Sequence, residues 1–301
     1  MNLHENKELF DQAVINASEE FGIDVPIIEK DYYVTLFLKK LLEKQPDMVF
    51  KGGTSLSKCY KLIDRFSEDI DINLSGDAKP GDGRKKHLKA NVISVAEELG
   101  FSVTNLDSIR SRRDFNRYII EYPSGLSAAF LKPDIIVETA VFLRSYPIET
   151  MEADCFVYQY LEKNGYVELI HDYQLEPFEI TVQTAERTMI DKVFALCDYY
   201  LAGTIDEHSR HIYDLHKLHN VVIIDDSFCD LINKVKKDRS GHKTCLSAQE
   251  GENVNELLLK IVESNIYQQD YDDKTYNLLF KKVSYDEAIT TLKEIAETKM
   301  F

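Results

Sequence analysis

Apolar residues recur at helical spacing from the start of the chain. Phe10, Ala13, Val14 and Ala17 fall three and four apart, which predicts an amphipathic helix. Pro26 is placed to open a second helix carrying Ile28, Tyr32, Leu36, Lys39 and Leu42, and Pro46 lies where it must stop. The period then shortens. Met48-Val49-Phe50-Lys51 reads as a short strand that runs into Gly52-Gly53, and residues 69–74 alternate carboxylate and apolar as a half-buried strand does. Gly76, Pro80, Gly81 and Gly83 mark a loop. Leu88, Val92, Val95 and Leu99 predict a helix with Gly100 as its C-terminal cap, and residues 101–105, 117–122 and 130–142 read as further strands.

Farther along, the apolar spacing is helical over 185–202 (Met189, Val193, Leu196, Tyr200), 208–219 (His211, Leu215, Leu218), 254–265 and 285–298. The order of elements predicts an α+β chain. A mixed β-sheet flanked by helices would occupy residues 1–165 and a mainly helical C-terminal domain residues 166–301, with the join between Tyr146 and Phe178. Tyr267, Tyr271 and Tyr276 read as packing residues of that second part.

Composition narrows the class. The 301 residues are 44% hydrophobic and 29% charged, as in a globular protein, and the apolar runs are too short to span a bilayer. The opening MNLHENKELFDQ is charged and lacks a secretory signal pattern, so a cytoplasmic protein without a membrane anchor is expected. Five scattered cysteines show no CxxC or zinc spacing, which predicts reduced thiols. Lys and Arg number 36 against 52 Asp and Glu, a net charge of −16, so a polyanion partner needs a local basic face. One candidate runs from Lys79 to Arg117, where Lys79, Arg84, Lys85, Lys86, Lys89, Arg110, Arg112, Arg113 and Arg117 outnumber five acids. A solvated mixed surface explains that stretch equally well.

The chemistry concentrates in residues 50–74, FKGGTSLSKCYKLIDRFSEDIDINL. The strand period puts Asp69 and Asp71 on one face and Ile70 and Ile72 on the other. Two carboxylates side by side repel each other unless a cation sits between them, and Mg²⁺ takes one or two carboxylates together with waters and phosphates. Taken alone, D-x-D also describes an acidic solvent-facing strand. Upstream, Gly52-Gly53-Thr54-Ser55 joins a strand to the helix-like stretch from Leu56 to Ile63. Backbone N–H groups and hydroxyls at such a start can hold phosphate oxygens, although paired glycines also serve simple tight turns. The spacing is not that of a P-loop. Glu68, just before the pair, should face away from it.

GGTSLSKCYKLIDRFSEDIDI resembles the signature of the AbiEii/AbiGii toxin family, members of the DNA polymerase β-like nucleotidyltransferases. LKPDIIVETAVFLRSYPIET at 131–150, ERTMIDKVFALCDYY at 186–200 and RHIYDLHKL at 210–218 are similar to the later motifs of that family, in order. The resemblance covers about residues 28–220. It implies a polymerase β-like nucleotidyltransferase core and a nucleotide gripped by Gly52, Gly53, Thr54, Ser55 and Lys192. It further implies Mg²⁺, one ion or two, on Asp69, Asp71 and a third carboxylate at Glu138, with Asp134 on the same strand face as the alternative. Asp214 matches the last motif, and Arg65 and Ser67 fit as supporting residues. Outside that frame, Glu138 reads as a partly exposed strand residue, Lys192 as a solvated helix lysine, and Asp214 as a cap or partner of Arg210.

The implied activity is transfer of a nucleoside monophosphate from an NTP to an acceptor, with release of pyrophosphate, in a toxin–antitoxin or abortive-infection system. The resemblance implies an RNA acceptor, the 3′ end of tRNA, and as a partner a cognate antitoxin or DNA-binding regulator. Two alternatives stay open: transfer to a protein acceptor, and a non-catalytic nucleotide-binding regulator on the same fold.

Overall fold

The computed structural model describes residues 1–76, 79–124 and 131–301; residues 77–78 of the expected loop and Phe130 of the expected strand 130–142 lie outside them. Helix α1 (Lys7–Phe21) starts at Asn6, whose side chain accepts from the Leu9 N–H, and ends at Gly22 in the left-handed conformation. It buries Phe10, Ala13, Val14 and Ala17, the stripe the spacing calls for.

Helix α2 (Val25–Lys44) opens with Pro26 in its first turn, but its buried side is wider than the expected stripe. Leu36, Lys39 and Leu42 are only half-buried, whereas Ile27, Val34, Phe37, Leu38 and Leu41 are fully buried, together with Glu29, Lys30 and Asp31. The reason is tertiary: α2 has neighbours on several sides, α1 among them. Its buried charges are matched, as burial requires. Lys30 donates to the Glu68 carboxylate (2.5 Å) and the Lys132 carbonyl (2.7 Å), while Asp31 accepts from Lys58 (2.5 Å) and the Phe156 N–H (2.9 Å).

The chain continues through β1 (Met48–Lys51), α3 (Gly52–Lys58), β2 (Asp69–Leu74), α4 (Asp82–Glu98), β3 (Ser102–Val103), β4 (Phe115–Glu121), β5 (Ile135–Ala140), β6 (Ile148–Ala153), α5 (Phe156–Lys163), α6 (Val167–Asp172) and β7 (Phe178–Gln183). The strands form one mixed sheet in the order β3-β4-β5-β2-β1-β7-β6, with β2 parallel to β5, β1 parallel to β7, and β1/β2, β4/β5 and β3/β4 antiparallel. Phe50, Ile70, Ile72, Ile135, Val137, Tyr118 and Ile120 share one face of this sheet and are all buried. At about 1.5–3 kcal/mol for each fully buried large apolar side chain, that face is the dominant cohesion of the unit. Expected strand 101–105 shrinks to β3. The strands β6 and β7 are additions: β6 is mostly exposed and lacks an apolar rhythm, but β7 carries the alternation Phe178, Ile180, Val182 in plain view.

Two compact units result, Met1–Tyr60 with Phe66–Val182, and Lys61–Arg65 with Gln183–Phe301. The first extends past the expected join at 165–166, because β7 hydrogen-bonds beside β1. The second holds α7 (Ala185–Ala202), α8 (Arg210–His219), α9 (Asp226–Ser240), α10 (Val254–Ser264), α11 (Gln268–Asp270), a π-helical turn Tyr271–Thr275, α12 (Tyr276–Leu278) and α13 (Tyr285–Glu297). Helix α7 packs on α8, α9 and α10, and α13 packs on α8 and α10. Tyr267 and Tyr271 are core residues, while Tyr276 is exposed. All five cysteines are free thiols. Among the described residues no helix is long and apolar enough to cross a membrane.

Candidate active site

Strand β1 delivers the chain in extended form at Lys51 and the backbone then reverses at Gly52, whose φ of +78° favours glycine. The turn is stitched to the next strand by its own hydroxyls. Thr54 donates to the Asp69 carbonyl (2.5 Å) and lies 3.0 Å from Ser67 Oγ, and Ser55 donates to the Gly52 carbonyl (2.9 Å). Thr54 and Ser55 are fully buried. A second demand also falls on Gly52: a Cβ there would lie 2.0 Å from Asp71 Oδ2. The Asp71 carboxylate therefore rests directly against the turn backbone.

The alternation of β2 holds: Asp69 and Asp71 are half-buried on one face, and Ile70 and Ile72 are buried on the other. Parallel register with β5 sets Asp71 beside Glu138 and Asp69 beside Ile136, whereas Asp134 precedes β5 and has no place in that pairing. The antiparallel registers add Lys51 opposite Asp71 and Arg117 opposite Glu138. One transverse row of the sheet thus reads Lys51, Asp71, Glu138, Arg117, two carboxylates flanked by two cations. Arg117 Nε lies 3.7 Å from Glu138 Oε1, and Lys132 Nζ lies 3.9 Å from Asp69 Oδ1. Glu68, expected to face away, is held by Lys30.

These donors suit a hard divalent cation. Asp69, Asp71 and Glu138 offer only carboxylate oxygens, and the lack of a side chain at residue 52 lets the Asp71 carboxylate lie against the turn. Among the described residues no three acidic, imidazole or thiol groups lie close enough together to hold a metal ion by themselves.

A different cluster occupies the second unit. Asp214 on α8 is wholly buried and accepts from Arg65 Nε (2.7 Å), Arg65 Nη2 (2.8 Å) and Lys192 Nζ (2.5 Å). Burial pushes the Asp214 carboxyl up, but Arg65 and Lys192 overrule it and hold it well below the usual carboxylate range. Burial weighs on the Lys192 ammonium and lowers it from its ordinary value, with Asp214 opposing. Of the expected site residues, the structure thus sets Asp71 beside Glu138 and against the Gly52 turn, with Asp69 two residues earlier on the same strand face, and brings Lys192 and Asp214 together in the second unit. Arg65, a supporting residue by sequence, proves to be the forked partner of Asp214. Lys51 was missed, and Arg117 was singled out only as the end of the basic stretch. The alternation within β4 shows that Arg117 faces outward, but only strand register shows what it faces.

A model of the nucleotidyl transferase AbiEii toxin family, of type IV toxin–antitoxin systems, matches residues 36–297. No curated protein matches the chain.

Proposed function

We propose that this chain, which belongs to the AbiEii nucleotidyl transferase toxin family of type IV toxin–antitoxin systems, transfers a nucleoside monophosphate from an NTP to the 3′ end of an RNA, tRNA in particular. The observation that carries this reading is the placing of Asp71 beside Glu138 and one residue pair from Asp69, against a turn that only glycine can form. On this reading the sheet is a polymerase β-like core. The terminal hydroxyl of the acceptor attacks the α-phosphorus, the new O–P bond forms as the bond to the β-phosphate oxygen breaks, and pyrophosphate leaves. A Mg²⁺ held by Asp69, Asp71 and Glu138 would neutralise phosphate charge and make that hydroxyl a better nucleophile.

The other steps belong to the chain itself. The N–H groups of Gly53 and its neighbours at the start of α3 donate to the triphosphate, since the Thr54 and Ser55 hydroxyls are already spent on holding the turn. Within the second unit, Asp214 and Arg65 fix where the Lys192 ammonium, the lysine of the family motif, stands. Glu138 is poised either to complete the carboxylate set or to accept the proton of the attacking hydroxyl. A type IV toxin also has an antitoxin, and a protein with a DNA-binding part would suit that role.

The test is incubation with each α-labelled NTP, Mg²⁺ and total RNA. Label is expected in tRNA-sized RNA, sensitive to RNase, and Asp69→Ala and Asp71→Ala should reduce it on the order of 10³-fold. Undiminished labelling by both variants would overturn the mechanism. RNase-resistant label would move the acceptor to protein, and NTP-dependent stabilisation without any labelled product would make the chain a nucleotide-binding regulator.

A further inference from the structure

Three consecutive charged residues of α2, Glu29, Lys30 and Asp31, are buried, and no step of the reaction above uses them. Successive helical positions point about 100° apart, so the three side chains leave α2 in different directions. Each reaches a different part of the candidate site. Glu29 accepts from Ser124 Oγ (2.7 Å), just after β4, the strand of Arg117. The Lys30 ammonium joins two segments: it donates to Glu68, the residue before Asp69, and to the carbonyl of Lys132, just ahead of β5, the strand of Glu138. Asp31 accepts from Lys58, the last residue of α3, which also donates to Thr35 of α2 (2.6 Å). Glu68 Oε1 lies 3.8 Å from Lys132 Nζ, which lies 3.9 Å from Asp69 Oδ1, so charge alternates from Lys30 through Glu68 and Lys132 to Asp69. All these residues belong to the first unit. Cohesion does not call for ions here. A buried charge loses hydration that its partner must offset, and apolar side chains of similar volume commonly hold a helix as well or better. What the ions add is direction: an ammonium is satisfied only by oxygens at hydrogen-bonding distance, so it fixes where its partners stand.

We propose that Lys30 is a positioning residue of the transferase site, clamping the segments that enter β2 and β5 so that Asp69 and Asp71 on one strand and Glu138 on the other keep their spacing. The assignment rests on the transferase reading above. The register of parallel β2 and β5 begins at Asp69 beside Ile136, and the Lys30 ammonium ties the two chains together once more just before it. Register decides which residue stands beside which; the clamp holds the end of the pair at which Asp69 stands. Next to it, Asp31 anchors the far end of the helix that follows the Gly52 turn. A displacement of about 1 Å in a reacting group can cost about 10²-fold in rate, so loosening this end is felt in turnover before it is felt in folding.

The experiment compares the full chain with two variants: Lys30→Met/Glu68→Gln, which removes both charges, and Glu68→Ala, which leaves Lys30 only the Lys132 carbonyl. Melting, amide hydrogen exchange, and kcat and KM for NTP in labelled transfer to total RNA are read for each. Uncharged replacement of a buried pair is tolerated, so the double variant should melt within a few degrees of the wild type. Its kcat should nevertheless fall on the order of 10²-fold while KM stays within about threefold, because the N–H groups of the turn still hold the triphosphate. Glu68→Ala should show the same split at about tenfold. Exchange in the double variant should quicken at least about tenfold over residues 66–72 and 131–137 and stay unchanged in β7. Wild-type kcat in the double variant, or a uniform loosening of the first unit with kcat and KM changed together, would overturn the assignment. So would failure of both variants to fold, which would make Lys30 a residue of the fold alone. The two readings fail separately. If the wild type labels no acceptor, the transferase reading falls and the catalytic role of Lys30 with it, while exchange still reports the clamp; if wild type and double variant label RNA equally, the positioning role falls and the transferase stands.

Discussion

Asp71 with Glu138 in the first unit, and Asp214 in the second, are carboxylates set among cations, yet their charges are settled in opposite ways. Asp71 and Glu138 sit side by side on adjacent strands, half-exposed, with their cations at the two ends of the row. Asp214 is wholly buried, and three donors of Arg65 and Lys192 converge on it at hydrogen-bonding distance. The first arrangement sets like charges side by side at the surface of the sheet; the second closes three donors on one buried carboxylate. On the proposed reading the open row would take a metal ion, while the buried cluster ties Arg65, Lys192 and Asp214 to one another.

The sharpest way to break this comparison is to remove the one carboxylate of the buried cluster and, separately, the two on the open face of β2. Asp214→Ala should cost about 3–5 kcal/mol of stability in chemical denaturation, because Arg65 and Lys192 would stay buried without their counter-charge. The double change Asp69→Asn/Asp71→Asn should melt at or above the wild-type temperature, because it relieves repulsion, while transfer is lost. If Asp214→Ala unfolds like the wild type, the buried cluster is not structural and the contrast fails.

Gly52→Ala should separate the two kinds of effect within a single residue. The left-handed backbone should cost about 1–2 kcal/mol, and the new methyl must displace the Asp71 carboxylate that lies 2.0 Å from its place. Labelled transfer should fall on the order of 10²-fold or more, out of proportion to the stability loss. A Gly52→Ala protein with full activity would show that Asp71 need not touch the turn.

The smallest effect concerns His208, which stacks flat on Tyr199 in the second unit. Burial, reinforced by Arg210, lowers its pKa from 6.5 to about 4. The unfolded chain then binds more protons than the folded one between these values, so stability is full above 6.5 and falls as the pH drops toward 4. A scan of melting temperature over that window should show a decline of a few degrees, and His208→Gln should make it shallower, the remainder coming from His211, which burial lowers as well. An unchanged slope in the variant would mean that other groups set the acid sensitivity.

Local signals carried much of the fold into view. Helices α7, α8, α10 and α13 lie within about two residues of their apolar spacing, since each keeps one stripe toward a core and the rest toward water. Helix α2 departs from that rule because it has no wholly solvent side. Glu29, Lys30 and Asp31 then sit where the pattern calls for surface, satisfied by residues remote in sequence. Strand β7 was legible as an alternation but lies in a stretch dominated by helical spacing, while β6 offers no alternation to read.

The sequence by itself determined that Asp69 and Asp71 share a strand face, that a glycine turn precedes them and that the chain mixes strands with helices, because backbone periodicity and positive φ are local properties. Tertiary structure alone decided that Glu138, not Asp134, stands beside Asp71, that Arg117 closes the row, and that Asp214 meets Arg65. Those outcomes depend on strand register and on the approach of segments up to 149 positions apart, which no local pattern encodes.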